Sequence, residues 1–430
     1  MYDLNKFDEI EDCIRWYPCN ISKIDQEVVF GPKTVSLYVH IPFCRGGCFF
    51  CPFNRYIYDD KVVDEYLGAL ELEIKLINKR VNIKNLKIST IWIGGGTPSD
   101  LLPEQIDRIF TILEDNFNYK NIEIIFEGIA DGSSFNSEKV KILKKHKVNK
   151  ISLGVQSLNE HYVRNILKRR HHALDAKKTI SFLKSKFFIN TDFMYYLPGQ
   201  NIADLEKDIL EITSTNINHI TFFPFMEIEN TPIPGLIKKG KLPKKAGKKT
   251  YFAMYKKLLS IMHSKGYYEY TPYHFAKKGK EIQYNINRWG FPQKDILGLG
   301  AGAFSFFNET SYTNVHLVDE YIKCVKKNKI PILAGKRAND LEKITRCIVL
   351  GSKLFEINKT KFNEITGIDI DKYFKNEIKD LVKKGLIINL KNKFKLTTFG
   401  KAFSNEVSKT FYTKENKGFR QPVGADFRRR

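Results

Sequence analysis

Six apolar runs of strand length, each followed by an amphipathic stretch, dominate the first half of this chain. They are VSLYVHI (35–41), STIWIG (89–94), IEIIFEG (122–128), KISLGV (150–155), NTDFMYYL (190–197) and HITFFPF (219–225). The stretches between them, such as VDEYLGALELEIKLINK (63–79) and LPEQIDRIFTILEDNF (102–117), repeat apolar residues at spacings of three and four. Crossovers between parallel strands are long and right-handed, so this order predicts a parallel β/α sheet, either curled into a partial barrel or left open. Function in such a sheet gathers at the carboxyl ends of the strands.

The rhythm changes after about Pro234. A Lys-rich linker leads to a helix near 250–265, then to the Gly-rich ILGLGAGAFSFF (296–307). From about 338 the pattern is helical, with a short hairpin in LIINLKNKFKLT, the order of a winged-helix-like module. The expected organisation is an N-terminal segment (1–33), the β/α unit (34–235), an extension completing the site (236–335) and the mostly helical module (336–430). Winged helices serve as DNA readers, lids or docking surfaces, so that fold alone decides no function.

Composition excludes some classes. The chain is 42% hydrophobic with 32 Phe and 21 Tyr, which is globular rather than disordered and suits an aromatic-lined cavity. No apolar stretch approaches the ~20 residues of a membrane span, and the expectation is a cytoplasmic monomer. The net charge of +23 reflects an excess of Lys over Arg along the chain, and the Lys runs beside Gly and Pro (238–249, 277–280, 325–329) read as solvated loops. No aromatic-and-basic RNA-reading motif is visible, so no nucleic-acid partner is expected.

The chemistry concentrates in HIPFCRGGCFFCPF (40–53). Cys44, Cys48 and Cys51 are spaced to grip three irons of a cubane cluster from one loop while a fourth iron stays open. A zinc site would call for a fourth Cys or His at partner spacing, yet position 53 is Phe and there is no second Cys pair. Cys13, Cys19, Cys324 and Cys347 are scattered and read as small buried hydrophobes. Gly94-Gly95-Gly96-Thr97-Pro98 ends the second strand, where a ligand beside the cluster would pass. Glu127, Gln156 and Asp192 end the next three strands, offering partners for an amino group, a carboxylate and a ribose. Lys168-Arg169-Arg170-His171-His172 is either a carboxylate contact or a solvated helix start. His40, on a strand, could line the site or be structural.

In order, HIPFC, the three-Cys spacing, GGGTPS, the strand-end Glu, SLGVQS and DFMYYLPGQ resemble the oxygen-independent coproporphyrinogen III dehydrogenase-like branch of the radical S-adenosylmethionine (SAM) proteins. The resemblance runs from Tyr17-Pro18 to the carboxyl-terminal module. It implies a partial (β/α)6 barrel, a [4Fe-4S] cluster whose fourth iron is chelated by SAM, and reductive cleavage to a 5'-deoxyadenosyl radical. It also implies a second SAM in some members and a flavodoxin- or ferredoxin-type electron donor. By motif, Tyr38, Gly95 and Glu127 are similar to contacts of the first SAM. Phe50, Gly96, Thr97, Gln156, Arg169 and Asp192 are similar to contacts of the second, with Lys168 an alternative to Arg169. Met226 and Phe304 fall where cofactor-lining apolar residues lie.

Three departures choose among relatives. The dehydrogenase proper resembles this chain but carries a further Cys where Phe53 stands, and a different tetrapeptide at Glu127-Gly128. Haem-chaperone relatives carry a His-Asn motif ahead of a Trp, and the aligned stretch here is Tyr284-Asn285-Ile286-Asn287-Arg288-Trp289, without the His. The anaerobic haem-degrading branch, the anaerobilin synthases, shares the Phe-bearing stretch after Cys48, Glu127-Gly128 and Arg169-Arg170-His171. That branch is similar to the class C methyltransferases. The implied substrate is haem or a porphyrin and the implied reaction is haem ring opening coupled to methyl transfer. The alternatives are porphyrinogen decarboxylation, methylation of another flat aromatic, and haem carriage.

Overall fold

The structure is a computed structural model that describes residue 14, residues 16–22 and residues 34–418. Cys13 lies outside the described residues.

Strand β1 (Thr34–Ile41) shows how the pattern becomes architecture. Val35, Leu37, Val39 and Ile41 are fully buried on one face, in one apolar cluster with Tyr66, Leu67, Leu70 and Ile74 of helix α1 (Asp60–Asn78). Burying each such side chain contributes roughly 1.5–3 kcal/mol. Ser36, Tyr38 and His40 alternate onto the other face, because successive strand residues point opposite ways. The apolar half therefore faces the helices and the polar half faces the lumen.

Between β1 and α1, the short strands β2 (Phe43–Cys44) and β3 (Tyr56–Ile57) pair in parallel and close the cysteine loop. The alternation continues through β4 (Lys87–Gly95), α2 (Pro103–Asn116), β5 (Glu123–Ile129), α3 (Ser137–Lys145) and β6 (Lys150–Gln156). It ends with α4 (Ala173–Lys184), β7 (Phe188–Tyr195), α5 (Ile202–Ser214) and β8 (His219–Pro224). Strands β1, β4, β5, β6, β7 and β8 pair in that order, all parallel, as the partial barrel requires.

The extension enlarges this sheet at both edges. After α6 (Pro232–Lys238) and α7 (Lys248–Ser264), β9 (Tyr268–Thr271) and β10 (His274–Ala276) form a hairpin whose β10 pairs antiparallel with β8. After α8 (Gln283–Trp289), the Gly-rich run supplies β11 (Asp295–Leu299), which lies parallel beside β1 and makes a seventh parallel strand. Strands β12 (Phe304–Phe307) and β13 (Thr310–Asn314), helix α9 (Val318–Lys326) and β14 (Ile332–Arg337) follow, the strands continuing antiparallel to a twelve-stranded sheet.

The remainder is mostly helical, starting with α10 (Asp340–Gly351), and holds a separate three-stranded sheet in which Glu356–Asn358, Lys393–Leu396 and Ile387–Asn389 are neighbours in that order. Residues 16–22 tie it to the barrel. The Tyr17 hydroxyl donates to Thr413 Oγ1 at 3.3 Å, the Cys19 amide donates to Asn416 Oδ1 at 2.8 Å, and Ser22 bridges Gly335. Among the described residues no helix is long and apolar enough to cross a membrane.

Candidate active site

The lumen-facing residues of the sheet line a cavity of about 1110 Å3. It takes in the cysteine loop and the carboxyl ends of the parallel strands, and reaches the aromatic residues of β12 and helix α10. Every residue singled out as a cofactor contact or cluster ligand lines it: Tyr38, Cys44, Cys48, Phe50, Cys51, Gly95, Gly96, Thr97, Glu127, Gln156, Arg169, Asp192, Met226 and Phe304.

The cysteine loop is held against the glycine run by backbone bonds. Gly96 N donates to Ile41 O and Thr97 N to Phe43 O, both at 2.8 Å, and Thr97 Oγ1 lies 3.2 Å from Cys44 Sγ. A Cβ on Gly96 would stand 2.6 Å from Phe43 O, so only glycine permits this approach. Gly95 adopts φ +119, which favours glycine, and a Cβ there would meet the His40 ring at 2.7 Å. Two arginines complete the loop: Arg55 donates to the carbonyls of Gly46 and Cys48, and Arg169 Nη1 lies 3.2 Å from Cys48 Sγ. Burial pushes the Cys44 thiol up to about 12 and raises that of Cys51, so neither ionises readily without a metal to hold the thiolate.

Two carboxyl groups face the same cavity from neighbouring regions of the sheet. Glu127 accepts from Trp92 Nε1 at 2.6 Å and from the Gly95 amide at 3.1 Å. Burial, with a smaller push from Asp192, lifts its pKa to about 7. Asp192 accepts from Ser152 Oγ at 2.9 Å and Asn190 Nδ2 at 3.0 Å, and burial raises its pKa as well. Asn190 is fixed in turn by His219 at 2.7 Å and Thr221 at 3.0 Å, and His219 reaches the Tyr270 hydroxyl at 2.8 Å. Both carboxyls thus sit among neutral donors, where a ligand's ammonium or hydroxyl groups would offset the cost of burial. Tyr38 and His40 form a bonded pair at 3.0 Å, and burial pulls His40 down to about 4, so it is neutral at physiological pH.

The basic segment differs from the carboxylate contact that its sequence suggested. Arg170 pairs with Asp131 at 2.6 Å and with Asp100, whose side chain is almost fully buried and also accepts from the Arg45 amide at 2.7 Å. His171 is buried against the Val155 carbonyl at 3.2 Å, and His172 pairs with Glu160. Arg169 points at Cys48 and at the Gly154 carbonyl, 2.6 Å away. Arg170 is therefore held by buried acids beside the cysteine loop, whereas Arg169 reaches both that loop and the cavity. Arg170→Ala strands buried Asp100, and the expected result is a loss of about 3–5 kcal/mol of stability, read from the urea midpoint of the variant. Unchanged stability with weakened ligand binding would contradict this assignment.

Sequence reading missed several lining residues. Trp92, two residues before Gly94, shares the lumen face with Thr90, and strict period-two counting back from the glycines would have found it. Tyr284 tilts against Trp92 at 5.1 Å, while Arg288 lies over the Trp289 ring at 4.5 Å. Arg346 of α10 carried no local signal at all.

Among the described residues no trio of His, Cys, Asp and Glu closes on a single point. Thiols that each take a different iron of a cubane need no such point, and the cysteine loop, with its glycine cradle and two buried carboxyls that no ion pair joins to a cation among the described residues, fits a cluster and a ligand bearing amino groups.

A model of the radical SAM superfamily matches residues 38–212. The heme chaperone HemW of Bacillus subtilis (strain 168) is 32% identical over 379 residues, covering 87% of this chain and 98% of that protein. The anaerobilin synthase of Escherichia coli O157:H7 is 25% identical over 312 residues, covering 70% of this chain and 67% of that protein. The solved structure of coproporphyrinogen III oxidase (HemN) from Escherichia coli superposes with a TM-score of 0.78 at 22% identity, over 89% of this chain and 91% of that one, which shows a shared fold. With the cysteine loop, glycine run and strand-end carboxyls all gathered on one cavity, the chain belongs to the radical SAM superfamily, in the family of HemN-like coproporphyrinogen oxidases and their HemW relatives.

Proposed function

We propose that this protein is a tetrapyrrole-modifying radical SAM enzyme, and that its reaction is anaerobic opening of haem coupled to methyl transfer. The observation that carries the reading is the cavity itself. It is large, aromatic at one end, and provides two separate carboxyl stations, Glu127 and Asp192, beside one cysteine loop. When bound, the cluster and SAM supply reductive cleavage and a carbon radical. The chain's own residues bind and orient.

In this reading Cys44, Cys48 and Cys51 hold the cluster, and Tyr38, Gly95 and Glu127 hold the first SAM, Glu127 receiving its amino group. Phe50, Gly96, Thr97, Gln156, Arg169 and Asp192 hold the second, with Met226 and Phe304 as apolar walls. The layered bonds from Tyr270 through His219 and Asn190 fix Asp192 in one orientation, which a methyl-donating ligand requires. A flavodoxin- or ferredoxin-type protein supplies the electron.

Haem carriage is the second reading, favoured by the identity to HemW over nearly its whole length. Tyr284 stands where the chaperones' His-Asn motif places its His, which favours turnover over carriage. The test is anaerobic incubation of reconstituted protein with haem, SAM and reductant. Ring opening is expected to bleach the Soret band, release iron and yield a methylated linear tetrapyrrole. Intact haem returned without SAM consumption would establish carriage, and carbon dioxide release would establish decarboxylation.

A further inference from the structure

Arg346 is a buried cation that no ion pair joins to a carboxylate among the described residues. Its side chain is 6% exposed and lines the cavity. One terminal nitrogen donates to the Tyr17 carbonyl, and the guanidinium lies 3.4 Å from the centroid of the Phe306 ring. No ion pair joins it to a carboxylate among the described residues, and its remaining nitrogens have no acceptor there. Asp295, whose charge acts on it, accepts from the Asn308 amide at 2.9 Å. Burial pulls the Arg346 pKa down to about 9, opposed by Asp295, so the group stays charged at neutral pH at the expense of its hydration.

Its place in the cavity follows from strand register. Phe306 pairs with Ile296, and Ile296 lies beside Ser36 of β1. The cysteine loop begins only after Ile41. The five steps from Ser36 to Ile41 span about 16 Å of extended strand. Arg346 therefore sits toward the amino end of β1, far from the cysteines, among Trp16, Phe304 and Phe306, of which Trp16 and Phe304 stack at 4.3 Å.

We propose that Arg346 is the carboxylate anchor of the substrate site: it binds a propionate of the tetrapyrrole at the cavity end opposite the cysteine loop, while the flat macrocycle lies along the neighbouring aromatic rings. The assignment rests on the tetrapyrrole reading and deepens it. Both haem propionates leave from one edge of the ring, so anchoring that edge at Arg346 turns the opposite edge toward the cofactor end of the cavity. A guanidinium is suited to this task, because its planar donors match a carboxylate while its face stacks on an aromatic ring. The anchor comes from α10, outside the β/α unit, so the C-terminal module contributes directly to substrate selection.

The test is equilibrium binding of haem and of haem dimethyl ester, whose carboxylates are masked, to the reconstituted full chain under anaerobic conditions. A charge-assisted bond to arginine corresponds to roughly 10–150-fold in affinity. Arg346→Gln is expected to weaken haem binding by that factor and to leave binding of the diester unchanged, abolishing the parental preference for free propionates. Arg346→Lys is expected to restore part of it. Equal weakening of haem and diester would mean that Arg346 only supports the wall, and unchanged haem affinity would mean that it meets no propionate; either result overturns the assignment while leaving the tetrapyrrole reading intact. A parental protein that binds neither compound would overturn both.

Discussion

Cys44→Ala, reconstituted anaerobically, is expected to lose SAM cleavage altogether, with no 5'-deoxyadenosine above background. The loss should exceed the roughly 10–100-fold that follows removal of a mere supporting bond at a metal site. Cys44 is the buried member of the trio, fixed by strand pairing at Phe43–Cys44 and by its contact with Thr97, so no neighbouring residue can move in as a substitute ligand. Cys324→Ala and Cys347→Ala serve as controls and should retain cleavage, because neither residue lines the cavity. Cleavage by the Cys44 variant at the parental rate would refute the cluster assignment.

The second large effect separates the two carboxyls. If Glu127 serves one SAM and Asp192 another, Asp192→Ala should lose methyl transfer by roughly 10–150-fold, the equivalent of a charge-assisted hydrogen bond, while uncoupled formation of 5'-deoxyadenosine persists. Glu127→Ala should lower cleavage itself. The measurement is 5'-deoxyadenosine and methylated product counted side by side in each variant. Equal loss of both products in both variants would mean a single cofactor station. The structure makes the comparison clean, since the two groups rest on different donors: Trp92 and Gly95 for Glu127, Ser152 and Asn190 for Asp192.

Much of this site was legible because its signals are local. The six barrel strands fall within two residues of the apolar runs at their starts and ends, since alternation and chain reversal are written over short stretches. The cysteine loop and the glycine run were readable for the same reason. What the sequence hid depends on distant partners. ILGLGAGAFSFF looked only glycine-rich, because glycine interrupts the alternation that marks a strand, and its role as a seventh parallel strand depends on a β1 more than 250 residues earlier. Arg170 looked available because its acids, Asp100 and Asp131, lie 70 and 39 residues back. Arg346 gave no sign because its value lies in what surrounds it, the Tyr17 carbonyl and a ring on β12.

The clasp between residues 16–22 and the C-terminal module bears on how the protein is made. Its bonds join residues 396 and 397 positions apart, Tyr17 to Thr413 and Cys19 to Asn416, whereas the cysteine loop closes over a dozen residues and is braced within the first half of the chain. Loop-closure entropy and vectorial synthesis both favour the short-range assembly. On the ribosome, the cysteine loop can form while residues beyond 340 are still to be made, and the cavity acquires the wall that Arg346 and Leu350 supply only once the C-terminal module is in place. If the cysteine loop holds the cluster and the cavity a tetrapyrrole, as proposed, the order of the chain puts the formation of the first site ahead of the second.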